Sequence, residues 1–489
     1  MSQPRSIFSR EILPATLAIF STASLASFES LGVAAALPDI ASDLENVALL
    51  PWVVTSYLLT SSLATVIAGS FIDSMGLSRM FRVAVIAFTA AGFGIAFSPS
   101  MEVMIGLRLL QGLGGGLILA TGTSAVSLVY PSHLVSRAFA ANSSVWGVMA
   151  VAGPAIAAVM LTFLSWHWIF YVNLPLGILA LFAGWKVMPG PFGTRTGRFD
   201  VVGIVLLAVI VVSTLLAVEA LAVVSLAWLA LTAVAVVLYV RHARRHPNPI
   251  VRLWHLTPQP YRGLAMSPAL LLTGTMAMST YIPLYVRAGL EQTPAITAWS
   301  VLPLTFGWTL GSILCSRMAD RISESRIILT GFSIGIPSLT LSWLAIVFDA
   351  PLLLEFVVFL TSGMGIGMVT NAALTLLRTF AEPAEVGRVV SAHLFARNQG
   401  FTFGSAIGGA VLLLVVTIQL GDLALVRELI SSAEGSGPSG AADAVQAGFA
   451  ATVATGAVIA LAGLFAALRL RRHLTAARVA LRGEAGRRM

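Results

Sequence analysis

The chain has 489 residues, of which 57% are hydrophobic and only 10% charged, with a mean hydropathy of +0.91 and a formal net charge of +8. Too few charged side chains are present to cover a water-soluble globule, so the fold class is an all-α polytopic membrane protein. The single cysteine, Cys315, excludes an intrachain disulfide and a thiolate metal cluster, and the basic charge is spread along the chain between apolar runs, which excludes a nucleic-acid partner.

Apolar runs of about 20 residues, the length that crosses a ~30 Å hydrocarbon core, recur fourteen times. The first, 12–38, follows Arg5 and Arg10 and is too long for a signal peptide, with no small-residue cleavage site, so it reads as an uncleaved helix. It carries Glu29 at membrane depth, where an ionisable group costs roughly 3 kcal/mol and is seldom present without a use. Glu29 is therefore the leading functional candidate. Spans 48–71 and 81–98 enclose Gly69-Ser70-Phe71-Ile72-Asp73-Ser74-Met75-Gly76-Leu77-Ser78-Arg79, a tight turn in which Gly76 can take dihedrals closed to other residues. The fourth span, 102–128, contains Arg108, Gln111, Gly112 and Gly114, and the fifth, 138–163, contains Gly153-Pro154. Span 168–188 closes the first set of six.

Spans 201–220 and 223–240 follow, and then a basic stretch, Arg241 to His255, whose Pro247 and Pro249 make it a linker rather than a helix. The remaining spans are 262–286, 295–316, 326–347, 352–377, 388–418 and 447–468. Asp320 and Arg326 stand in the turn after the tenth span, and Arg397-Asn398-Gln399-Gly400 lies within the thirteenth. The loop from Gly421 to Gln446, with its Gly, Ser and Pro residues, is expected on the outer side without chemistry of its own.

Alternation of basic and non-basic loops fixes the expected orientation. With a cytoplasmic N-terminus, every Lys and Arg falls on the inner side except Arg287 and Arg427 outside, and Arg108 and Arg397 within spans. An even number of spans returns the C-terminus, with Arg469, Arg471, Arg472, Arg478, Arg482, Arg487 and Arg488, to the cytoplasm.

The chain repeats itself weakly. Asp73 and Arg79 have the spacing of Asp320 and Arg326, while Glu102, Gly112 and Gly114 correspond at one constant offset to Glu355, Gly365 and Gly367. In that register Thr361 stands opposite Arg108, so the scaffold is duplicated and the buried charge is not. Two related bundles are the usual plan of a secondary transporter. The expected domains are a six-helix bundle over 1–188, two additional helices and a cytoplasmic linker over 189–261, a second six-helix bundle over 262–470, and a basic tail over 471–489.

With those residues in view, the chain resembles the major facilitator superfamily and, within it, the fourteen-helix drug:proton antiporters of the EmrB/QacA type. The loop signature after the second span is matched at Gly69, Asp73, Gly76 and Arg79, with Ser74 and Leu77 where basic residues are usual. Arg-x-x-Gln-Gly-x-Gly is matched by Arg108, Gln111, Gly112 and Gly114. The antiporter motif of the fifth span is matched by Gly153-Pro154, with Ala157 and Ala158 at two customary glycine positions. Trp166-His167-Trp168-Ile169-Phe170-Tyr171-Val172-Asn173-Leu174-Pro175 resembles the stretch before the sixth span, and Phe199-Asp200 with Gly203 the beginning of the two additional central spans. The resemblance implies two pseudo-symmetric six-helix bundles plus two central helices, working by alternating access.

Glu29 and Arg108 are expected at compatible depths from the ~1.5 Å rise per residue. An arginine stabilises a buried carboxylate while a low dielectric favours the neutral acid, so protonation should follow hydration and the position of the neighbour. A static ion pair that specifies packing is the plainer alternative. Gly69, Asp73, Gly76, Arg79 and Asp320 are expected to form a conformational latch, Asp73 accepting from a helix N-terminus of the opposite bundle. Gly112, Gly114, Gly153 and Pro154 are read as hinge or packing positions. Candidate cavity residues are Phe28, Gln111, Asn142, Trp146, Met276, Tyr281, Phe306, Trp308, Met364, Asn371, Phe395, Arg397 and Asn398, since aromatic and methionine surfaces adapt to varied hydrophobic compounds.

The expected function is proton-coupled export of hydrophobic or amphipathic small molecules from a bacterial cytoplasm across the inner membrane, by a monomer without cofactor. The alternative is a flippase or exporter of lipid or cell-envelope precursors on the same fold. No GxSxG, HExxH or phosphate-binding loop occurs, and the seven histidines show no compelling ligand spacing, so neither an enzyme nor a metal site is expected.

Overall fold

A bilayer offers no water to backbone N–H and C=O groups, so an apolar chain of this length must satisfy them within helices. A computed structural model of the chain describes residues 6–44, 49–190, 200–219, 222–420 and 440–487, and among them the regular structure is helical throughout. Phe199, Arg427, Arg5, Arg488 and nearly all of the expected outer loop lie outside the described residues.

The first helices are α1 (Leu13–Leu44), α2 (Leu50–Met75), α3 (Leu77–Ile95), α4 (Met101–Val129), α5 (Ser132–Phe163), the short α6 (His167–Tyr171) and α7 (Asn173–Gly184). The two central helices are α8 (Val201–Glu219) and α9 (Ala222–Arg245). There follow α10 (Tyr261–Leu284), α11 (Pro294–Trp299), α12 (Leu302–Met318), α13 (Glu324–Val347), α14 (Leu352–Arg378), α15 (Val386–Leu420) and α16 (Ala441–Arg487). α9 runs on to Arg245, into the stretch expected as linker, and Leu253–His255 form a 3-10 turn; only 246–252, around Pro247 and Pro249, is not helical. α5 stays helical through Gly153 and Pro154, and α10 passes into a π-helical turn, Tyr285–Gly289, just after Pro283.

Eleven of the described helices are long and apolar enough to cross a membrane. The fourteen expected spans are not all matched by that measure: α1, α8 and α12 fall outside it. In α12 the reason is local, because the expected span 295–316 is broken at Ser300-Val301 into α11 and a helix of only 17 residues. Large apolar side chains stand exposed along the helices, among them Phe163, Phe182, Leu353 and Ile418, as a lipid-facing surface requires.

By packing, the chain divides into two compact units. The first comprises 1–211, 238–253 and 377–395, so the near ends of α8 and α9, the linker and the beginning of α15 belong with α1 to α7. The second comprises 212–237, 254–376 and 396–489. Both groups of candidate charges described next, around Glu29 and around Asp73, lie within the first unit.

Candidate functional site

The carboxylate of Glu29, on α1, is fully buried. Arg108 on α4 places Nη1 against its Oε1 as an ion pair, while Oε2 accepts hydrogen bonds from Gln111 Nε2 at 2.9 Å and Asn173 Nδ2 at 3.0 Å. Arg108 is itself held on three sides: Nε donates to the Val53 carbonyl at 2.7 Å, Nη1 to Gln111 Oε1 at 2.8 Å, and its guanidinium lies 4.7 Å from the ring centre of Tyr57. Gln111 follows Arg108 by three residues on α4, so one helix face carries both. Asn173 reaches the carboxylate because it opens α7 directly after the short α6.

A buried apolar shell of Phe28, Val33, Val53, Ile95, Met101, Met104, Ile169 and Phe170 packs as one cluster that meets the ion pair at Val53, whose carbonyl accepts from Arg108 Nε, and at Phe28, the chain neighbour of Glu29. In such surroundings an unpaired charge would be strongly unfavourable, and the donors converging on Glu29 are what make its ionised form tenable. All of them are N–H groups. A protonated Glu29 needs an acceptor instead, and Asn173 Oδ1, buried without a hydrogen-bond partner, lies on the same amide that now donates. The Glu29–Arg108 pairing expected from helical depth is thus present. Gln111, expected to line a cavity, is instead fully buried with its amide committed to both members of the pair, and Phe28 packs in the shell. Asn173 was not singled out from sequence; its signal was its place in the Trp166 to Pro175 stretch.

Asp73, near the end of α2, accepts from the backbone N–H of Gly387 at 2.9 Å and of Arg388 at 3.2 Å, the second and third residues of α15. A carboxylate at a helix N-terminus satisfies free N–H groups and meets the positive end of the helix dipole. Asp73 is buried, not exposed as a solvated turn would leave it. Gly69, one turn earlier, lets α15 approach: a Cβ there would sit 2.6 Å from the Gly387 carbonyl oxygen. Gly76, with φ 86° and ψ 150°, is the whole connection between α2 and α3. Arg79 is exposed on α3, and Asp320 is exposed in the turn after α12.

Gly112 and Gly114 act in packing, their α-carbons facing the backbone of α2 at Tyr57 and of α3 at Phe88. Gly153 is buried in α5. Of the other cavity candidates, Met276 and Asn371 are buried, and Tyr281 donates to the Ser405 carbonyl at 3.1 Å. Asn142, Trp146, Trp308, Met364, Phe395, Arg397 and Asn398 are half-buried and Phe306 is exposed. In the second unit the position matching Arg108 holds Thr361, which accepts from Ser338 Oγ at 2.8 Å. Glu355, however, is buried there, with Ser342 Oγ donating to its Oε2 at 2.7 Å and Oε1 without a partner. Sequence marked Glu355 as the counterpart of Glu102 but gave no sign that one is buried and the other exposed.

A sequence model of the Major Facilitator Superfamily matches residues 17–405, most of the chain and both sets of motifs. The chain belongs to the major facilitator superfamily. Among relatives of this superfamily member, the multidrug transporter protein MdtP of Bacillus subtilis (strain 168) is 26% identical over 391 residues, covering 78% of this chain and 71% of its own. The riboflavin transporter RibZ of Clostridioides difficile (strain 630) is 26% identical over 377 residues, covering 76% and 81%. The crystal structure of the human organic anion transporter MFSD10 (TETRAN) shares the fold, with a TM-score of 0.61 at 14% identity over 95% of this chain and 100% of that one. The protein is a membrane-spanning transporter of the superfamily, with multidrug-type relatives.

Proposed function

We propose that this transporter is a proton-coupled exporter of hydrophobic or amphipathic small molecules, of the fourteen-helix drug:proton antiporter branch, in a bacterial cytoplasmic membrane with both termini inside. The observation that carries the reading is the sealed Glu29 carboxylate with Arg108, Gln111 and Asn173 converging on it. Every side-chain group that reaches it is an N–H donor, the complement of a carboxylate rather than of a carboxylic acid. Separation of α1 from α4 or α7 removes donors, and a proton then takes their place, with Asn173 turning its oxygen toward the new O–H. Return of the donors expels the proton. Proton binding is thereby tied to helix movement, which is what coupling requires.

Asp73 and the start of α15 would be the latch of this cycle, made and broken on the cytoplasmic side. One proton crossing ~100 mV supplies ~2.3 kcal/mol and a one-unit pH difference about 1.4 kcal/mol more, enough together for a several-hundred-fold gradient of substrate. The substrates for which these relatives are named, drugs and riboflavin, fit the class of amphipathic compounds.

The test is transport in proteoliposomes under an imposed pH gradient, with a panel of dyes, drugs and labelled lipids. Glu29→Gln keeps the volume of the side chain and removes the titrating group, and it is expected to abolish pH-driven transport while the protein still folds. Undiminished proton-driven transport in that variant would end the proposal, and movement of labelled lipids alone would favour envelope-precursor export instead.

A further inference from the structure

A second cluster of chemistry-bearing side chains lies where the central helices meet the linker, and the coupling scheme has no use for it. Asp200, immediately before α8, is buried; its Oδ1 accepts from the Gly203 N–H at 2.8 Å and lies 2.6 Å from His242 Nε2, and its Oδ2 accepts from the Ile250 N–H at 3.1 Å. His242 lies in the last turn of α9 and His246 immediately after the helix, where its backbone N–H still donates to the His242 carbonyl at 2.9 Å and keeps the two imidazoles on one side. Their rings stack with centres 5.2 Å apart, and His246 Nδ1 accepts from the Asn248 N–H at 3.2 Å. One donor atom from each of Asp200, His242 and His246 falls within 4.8 Å of the other two.

Capping of α8 explains Asp200, and a hydrogen bond explains His242. Neither explains why His246 joins them. We propose that Asp200, His242 and His246 form a binding site for a divalent transition metal of the zinc class. Two imidazoles and one carboxylate are the donor set of a borderline metal rather than of Mg2+ or Ca2+, which take oxygen, and they leave a fourth position for water. Burial works against the charge of Asp200, but the hydrogen bonds from Gly203, His242 and Ile250 outweigh it and hold the carboxyl below its usual range, so the ligand is ionised at neutral pH. The imidazoles are partly exposed, giving an ion a route in. Loading opens the His242 to Asp200 separation to about 3.3 Å, the edge of a tetrahedron with bonds of ~2.0 Å, and releases any proton held between them.

Metal here would tie the start of α8 to the end of α9 at the root of the linker. The same linker is fastened to α9 by Tyr239, whose hydroxyl accepts from the Val251 N–H at 2.8 Å, and to α15 through Asn248 Oδ1, which accepts from Arg388 Nη1 at 2.7 Å. Arg388 also supplies one of the N–H groups held by Asp73. The site is therefore connected through Asn248 and Arg388 to the contact assigned above as the latch.

The experiment is titration of the purified full-length protein, its affinity tag free of histidine and removed, with Co2+, whose visible absorption reports tetrahedral N/O coordination. One Co2+ per chain is expected, displaced by Zn2+, and His242→Ala and His246→Ala should each weaken binding by at least about ten-fold, while His473→Ala in the tail leaves it unchanged. His246 takes no part in capping α8, so H246A decides the matter should H242A disturb folding; size-exclusion profiles report that. No saturable absorption at roughly millimolar Co2+, binding retained by H246A, or equal loss in H473A would each overturn the site.

Discussion

At the scale of single residues, the decisive feature is that Glu29 is fully buried with donors from two other helices. Removing one of them isolates its contribution. Asn173→Ala deletes a hydrogen bond to a charged group, worth about 1.5–3 kcal/mol, and leaves Arg108 and Gln111 in place. The variant is expected to express, to melt at a lower temperature, and to show an altered pH profile of transport, since the acceptor for a protonated Glu29 is gone; an unaltered profile would make Asn173 a packing residue only. Arg108→Lys keeps the charge but not the fork that reaches Val53, Gln111 and Glu29 together, and coupling measured as the proton-driven fraction of transport should fall. Glu29 and Arg108 were legible because an ionisable residue in an apolar run is conspicuous. Asn173 and Glu355 were not, because an amide or an acid near the edge of a span has the same pattern whether it faces inward or outward.

At the scale of elements, the α2–α3 turn and the start of α15 form one device. Gly76 occupies a backbone region that only glycine enters readily, so Gly76→Ala should cost about 1–3 kcal/mol through strain alone. Asp73→Asn removes the charge that holds the Gly387 and Arg388 amides. With Cys315 replaced by Ser and a reporter cysteine at Ser391, which is buried near Gly69, that variant is expected to raise the labelling rate several-fold. An unchanged rate would mean that Asp73 merely caps a helix. The turn motif was readable as a turn from Gly76, and its role as a latch was an expectation from the resemblance. That its partner is the N-terminus of α15, more than three hundred positions away, followed only from the tertiary structure. Likewise the apolar run 295–316 gave no warning of the break between α11 and α12, since hydropathy is blind to where the backbone leaves the helix.

At the scale of the whole molecule, the proposed orientation places the linker 246–250 and the C-terminal residues on the cytoplasmic side. Reporter fusions after position 250 and at the C-terminus are expected to be active with a cytoplasmic reporter and silent with a periplasmic one; the reverse result at either point would break the orientation. Membrane class, helical fold, superfamily and the main charged pair were all set by the sequence itself, because insertion in lipid penalises each exposed charge and each unpaired backbone group locally, residue by residue. Which donors surround Glu29, which helix Asp73 caps, and the meeting of Asp200 with His242 and His246 were decided only in three dimensions. Those contacts depend on the angles at which distant helices pack, and no run of neighbouring residues encodes an angle by its own hydropathy.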